Sequence, residues 1–113
     1  MPQARVSVET ILQIGAAFPG VTQTASWGAP ALKVGGKLMA CVPTNKSAEP
    51  DSFLFRVDRN DRAHLLVEHP ELYYITDHYR AYDAVLVRLP LVTPSLAHDL
   101  LARAHHFVAA GRS

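Results

Sequence analysis

The stretch Ala31-Leu-Lys-Val-Gly-Gly-Lys-Leu-Met-Ala-Cys-Val42 decides the fold. Two apolar-rich arms flank Gly35-Gly36, a pair free to take the positive φ angles of a type I′ or II′ turn, and this predicts a two-residue β-hairpin. With those glycines at the tip, Val34 is expected opposite Lys37, Lys33 opposite Leu38 and Leu32 opposite Met39. Gly-Gly-Lys could instead close a phosphate-binding loop, but that loop needs Ser or Thr after the lysine and a helix beyond it. Here Leu38 follows and the continuation is strand-like, so Lys37 is a cation at a hairpin tip.

Upstream of the hairpin, Ser7 is an N-cap, Glu9 suits the positive end of the helix dipole, and Val8, Ile11, Leu12 and Ala16 recur at helical spacing. Pro19-Gly20 stops that helix after Phe18. Val21 to Trp27 is a polar strand, best suited to a sheet edge. Downstream, Pro43 to Ser52 is polar with two prolines and reads as a mobile connection. Phe53 to Val57 alternates as a strand; Asp58 or Asn60 then caps a short helix running to His69, which Pro70 ends. Leu72 to Thr76 and Ala84 to Leu89 are two further strands, joined by a turn over Asp77 to Asp83. Thr93-Pro94 starts a last helix, whose apolar stripe includes Ala97, Leu100, Leu101, Ala104, Phe107 and Val108. The order predicts an α+β, two-layer domain over 1–113: a twisted, mainly antiparallel sheet of five or six strands with helices packed on one face. The other face is expected to be partly open.

Composition narrows the function classes. The chain has 113 residues, 49% of them hydrophobic and 19% charged, enough for one core and against long disorder. Its net charge is +1, so any attraction for a polyanion must come from a local basic surface. Apolar runs reach only five or so residues, far short of the roughly 20 that span a bilayer, so no membrane role is expected. A lone Cys41 excludes an internal disulfide and the N-terminus lacks the apolar run of a secretory signal, which together predict a cytoplasmic protein.

Alternation along the strands predicts which residues share a face. With Leu32, Val34, Met39, Cys41, Phe53, Phe55, Val57, Val85, Val87 and Leu89 turned to the core, the opposite face collects Lys33, Leu38, Ala40, Val42, Leu54, Arg56, Leu86 and Arg88. Three strands thus each bring one cation, Lys33, Arg56 or Arg88, to that face, and Lys37 extends it at the hairpin tip. Exposed strands also carry such residues simply to stay soluble. Tyr79, Arg80 and Tyr82, in the turn before the last strand, add aromatic rings beside an arginine, an arrangement that stacks nucleic-acid bases. Tyrosines are equally good sheet residues. Tyr79 and Tyr82 are expected to be exposed.

Signals for catalysis are weak. Cys41 sits among apolar strand residues with no base nearby, and no serine lies in a Gly-x-Ser-x-Gly elbow. Among the six histidines, no two stand at the i, i+4 spacing that closes on zinc from one helix face. No enzyme activity, metal or cofactor is expected.

The motif Trp27-Gly28-x-Pro30-x-Leu32-Lys33-Val34-Gly35-Gly36-Lys37-Leu38 resembles the MmcQ/YjbR family, small bacterial domains described as DNA-binding. Phe18-Pro19-Gly20-Val21, Arg62-x-x-Leu65-Leu66 with Pro70, and Leu100-Leu101-x-x-Ala104-x-x-x-Val108 extend the resemblance over almost the whole chain. It implies a CyaY-like fold and DNA as a partner. Many relatives have a tryptophan entering the late strand, where this chain has Asp83-Ala84, so that residue's role does not carry over. A frataxin-type iron role would call for an acidic first helix, and here that helix has only Glu9.

Two partner classes follow. One is DNA, bound weakly and with strong salt dependence through Lys33, Lys37, Arg56 and Arg88. The alternative is a protein partner or a second copy, with Leu38, Leu54 and Leu86 as anchors on the same face.

Overall fold

The computed structural model describes residues 6–26 and 28–111; Trp27, the first residue of the W-G-x-P motif, lies outside them. Helix α1 (Val8–Ala16) is followed by strands β1 (Val21–Ser26), β2 (Ala29–Val34), β3 (Lys37–Cys41) and β4 (Ser52–Arg56). Helix α2 (Arg59–Glu68), strands β5 (Tyr73–Tyr74) and β6 (Ala84–Arg88), a 3-10 turn at Leu89–Leu91 and helix α3 (Pro94–Ala109) complete the order. The strands form one antiparallel sheet in the order β1-β2-β3-β4-β6-β5, so the α+β, two-layer expectation holds.

The helices begin where the sequence caps them. Ser7 Oγ accepts from Thr10 N at 3.1 Å, Asp58 Oδ1 from Asn60 N at 2.7 Å and Thr93 Oγ1 from Leu96 N at 3.2 Å. Each bond satisfies an amide that the first turn leaves without a partner. All three helices contribute to one core: Ile11 from α1, Leu65 from α2, and Leu100, Leu101 and Phe107 from α3 meet Leu32, Met39, Phe53, Phe55, Val85 and Val87 of the sheet. The close approach of α1 depends on Gly15, where a Cβ would overlap Leu32 Cδ1 and stand 3.3 Å from Leu101 Cδ2.

Gly35 and Gly36 both have positive φ, 57° and 81°, and Val34 faces Lys37 and Lys33 faces Leu38, as a two-residue hairpin requires. The expected Leu32–Met39 pair does not form. A bulge shifts the register, so Leu32 faces Ala40 and Ala31 faces Cys41. Its consequence is a change of face beyond Leu38: Met39 and Ala40 both join the helix-side core, Val42 packs against that core, and Cys41 turns to the opposite side. The expected core position of Cys41 and outer positions of Ala40 and Val42 are corrected accordingly. Strand β5 is also shorter than Leu72 to Thr76, because beyond Tyr74 the chain leaves the ladder with β6.

Candidate functional site

The sheet face away from the core is not open. Ala31, Cys41, Leu54, Ala84 and Leu86 form a second apolar layer there with Tyr79, and Leu38, Ala48, Tyr74 and Ile75 pack on it. The cover consists of two segments, the loop 42–51 and the stretch 75–83, bonded to each other. Asn45 N donates to Tyr79 Oη at 3.1 Å, Glu49 N donates to Tyr74 Oη at 2.8 Å, and the Ser47 and Thr76 hydroxyls bond at 2.9 Å. The connection expected to be mobile is therefore tied down. Tyr79, expected exposed, is 8% exposed, and the proposed interface anchors Leu54 and Leu86 are covered within the chain at 5% and 0%.

Two of the expected free cations are occupied. Arg88 donates through Nε and Nη2 to both carboxylate oxygens of Glu49, at 2.9 and 2.8 Å, and through Nη1 to the carbonyls of Pro70 and Glu71. Its guanidinium also lies 4.6 Å over the Tyr74 ring. This bidentate pair holds the Glu49 carboxyl below, and the Arg88 guanidinium above, their ordinary ranges. Arg56 donates Nε to the Asp83 carbonyl at 2.9 Å and lies 5.5 Å from the Phe107 ring centroid; its Nη groups make no hydrogen bond among the described residues. Lys33, Lys37 and Lys46 have no ion pair among the described residues. Because Lys33 faces Leu38 across the hairpin, it shares the outer face with that residue.

The charge concentration lies at the turn before β6. Asp58 starts α2 so that Arg59 and Arg62, three positions apart and neighbours on one helix face, meet residues 80–84. Arg59 reaches Asp83 Oδ1 and the Ala81 carbonyl, both at 2.6 Å; Arg62 donates to the carbonyls of Tyr82, Ala84 and Arg80 at 2.7, 3.2 and 3.3 Å. Arg80 pairs with Asp77 at 3.2 Å. Four guanidinium groups, those of Arg56, Arg59, Arg62 and Arg80, thus surround a segment that offers the carboxylates of Asp77 and Asp83. Arg62 is held below its ordinary range by desolvation first and then by Arg59 and Arg80, with Asp83 opposing. Arg59 and Arg80 keep side chains 57% and 61% exposed, so these two charges face water, while Asp58 and Asp61 stand beside the arginines at the first turn of α2.

Beside that turn is a cleft of about 230 Å³. Cys41, Leu54 and Ala84 form its floor, Pro43 and Thr44 one wall, and His78, Tyr79 and Tyr82 the other, with Arg56 and Asp83 also lining it. The bond from Asn45 N to Tyr79 Oη fixes one wall against the other. His78 meets Tyr79 edge-on at 4.7 Å and stands 6.1 Å from Tyr82, which is 55% exposed at the rim. Burial pushes the Cys41 thiol up to about 11, so the floor presents a neutral thiol.

The YjbR family model matches residues 16–107, from the end of α1 through most of α3. The chain belongs to the YjbR family. Every strand of the sheet, and both walls of the cleft, lie within this YjbR match. Among solved structures, that of the Deinococcus radiodurans protein DR2400, with the family-model domain DUF419, superposes with a TM-score of 0.76 at 20% identity. The alignment covers 99% of this chain and 86% of that one, and at this identity the likeness establishes the fold alone. No curated protein matches the chain.

Of the residues singled out in the sequence, Arg56, Tyr79 and Tyr82 line the cleft, Arg80 flanks it and Lys33 lies on its face, whereas Lys37 stands at the hairpin tip opposite Val34, a residue of the helix-side face. Arg88 lies apart, locked to Glu49. Arg59, His78 and Thr44 were not singled out as site residues, and Arg62 entered only through the Arg62-x-x-Leu65-Leu66 resemblance. A sequence signal for Arg59 and Arg62 is their spacing on α2; apart from the Asp83 carboxylate, their partners are backbone carbonyls about 20 residues on, which carry no residue signature.

Proposed function

We propose that this YjbR-family domain binds nucleic acid weakly and largely through charge, at the end of the sheet built by the 77–83 turn, the first turn of α2 and the hairpin. The observation that carries this reading is the set of four guanidinium groups around the turn, two of them, Arg59 and Arg80, more than half exposed, beside the exposed ring of Tyr82. Phosphates recognise such a surface because each contact releases condensed counterions. Lys33, Lys37, Lys46, Arg59 and Arg80 have the exposure to meet phosphate; Arg56 and Tyr82 face the cleft; Arg88 and Tyr79 keep its cover in place. The reading is one of binding without catalysis, in the cytoplasm of a bacterium. A cysteine held as a neutral thiol at the floor of the cleft supports that.

Fluorescence anisotropy with a labelled oligonucleotide tests it. About three to four phosphate contacts at a slope near −0.7 each give a roughly 20- to 50-fold loss of affinity between about 50 and 200 mM salt. Replacing Lys37, Lys46 and Arg80 together by Ala is expected to flatten that slope by about 0.7 per phosphate contact removed. Absence of binding at the lower salt, or an unchanged slope in the triple variant, contradicts the reading.

A further inference from the structure

We infer that the cleft beneath Tyr82 takes one unstacked nucleobase, so that the domain prefers single-stranded nucleic acid to duplex. This rests on the nucleic-acid reading above and names the part of the ligand that enters the site. The volume of about 230 Å³ falls short of the roughly 300–1,000 Å³ of sites for drug-sized ligands, and suits one planar heterocycle. The floor of Cys41, Leu54 and Ala84 is apolar and flat, being the pleated face of three adjacent strands, and the thiol there is uncharged. A base meets such a surface with its face, and the rings of His78 and Tyr82 at the rim are placed to cover the opposite face or edge.

The polar groups are few and convergent, as recognition of a base edge requires. Arg56 is held by the Asp83 carbonyl through Nε, and its Nη groups make no hydrogen bond among the described residues, which leaves them for an acceptor on a base edge such as a carbonyl oxygen of thymine. Thr44 and Asp83 line the two sides, Asp83 with one carboxylate oxygen already held by Arg59. The walls are joined by the Asn45–Tyr79 bond before any ligand arrives, so little ordering accompanies binding. A paired base inside a duplex cannot reach the floor, because its faces are covered by its neighbours; a base in a single strand can turn in while Lys33 on one side and Arg80 on the other meet the flanking phosphates. A free nucleotide presents the same base, so the chemistry is shared by two sources.

Three labelled probes of equal length decide the matter: a thymine single strand, an abasic single strand with the same phosphates, and a hairpin duplex. At low salt the thymine strand is expected to bind at least about tenfold more tightly than the other two, the scale of one stacked base. Tyr82→Ala, a substitution at a half-exposed ring, is expected to bring the thymine strand down to the abasic level and leave the duplex unchanged. The thymine strand should also protect Cys41 from a thiol reagent, while the abasic strand should not. Competition by free thymidine monophosphate assigns the source: displacement at concentrations comparable to the strand points to a nucleotide, and its failure to a strand, each in support of a base site. Equal, salt-sensitive binding of all three probes overturns the base site and leaves the nucleic-acid reading standing. No binding by any probe at low salt overturns both.

Discussion

Arg88 shows how much a single side chain's role depends on its surroundings. By strand alternation it is an outward cation, and it does stand on the outer face; yet Glu49 arrives from the loop 42–51 and the carbonyls of Pro70 and Glu71 from the end of α2, so every donor group is taken. The residue fastens the loop to the sheet. Because the Glu49 carboxyl is held below its unfolded value, its contribution to stability is complete above that value, about pH 4.3, and disappears as pH falls through the lower folded value. With Glu49 half exposed, the pair is worth about 0.5–1 kcal/mol. Unfolding free energies from urea titrations of the native chain and Glu49→Gln should therefore differ by that amount near pH 7 and converge by about pH 3. A gap that stays constant over that range would show that the carboxylate charge has no part in it. Position 88 was legible as a strand cation, whereas its partner, 39 positions away in a loop without periodicity, was not.

At the scale of elements, caps and the hairpin tip were legible because they are local. Ser7, Asp58 and Thr93 act within three residues of themselves, and Gly35-Gly36 answers a backbone requirement that other residues meet poorly. The bulge was not legible, since the extra residue at Met39 carries no glycine and looks like any other strand apolar; only tertiary packing decides that Met39 and Ala40 both enter the core. That one irregularity moves Cys41 from the core to the floor of the cleft. With its thiol at about 11, only about one molecule in a thousand is a thiolate at pH 8, so native labelling by a thiol reagent should be slow and rise about tenfold per pH unit up to about pH 9.5. Arg88→Ala, which frees Glu49 and with it the loop over this face, is expected to raise the rate at fixed pH. Labelling as fast as a free cysteine at pH 8, unaltered by that variant, would place Cys41 elsewhere. The cover of the outer face escaped sequence reading for a related reason: PTNKSAEPDS has the composition of a mobile loop, and its order comes from hydroxyls of Tyr74, Tyr79 and Thr76 supplied by another segment.

Over the whole molecule, the helix layer and the outer layer divide the work. Helices α1 and α3 close the core on one side, while the other side is finished by two bonded segments that leave one cleft at the end where α2 brings its arginines. A net charge of +1 gave no hint of this, because Asp58 and Asp61 at the start of α2 and Asp77 and Asp83 in the turn are interleaved with those arginines. The layered α+β architecture was readable from the order of periodic segments, but the place of the site depends on which strands neighbour one another, and β4 pairs with β6 across the α2 excursion. Binding should therefore be confined to one end of the molecule. The most direct test is an amide chemical-shift map of the full chain titrated with a thymine single strand at low salt. Shifts concentrated in residues 43–47, 59–62 and 77–83, with α1 and the outward side of α3 unmoved, are expected. Shifts centred on the helix layer, or none at all, would contradict a nucleic-acid site at this cleft.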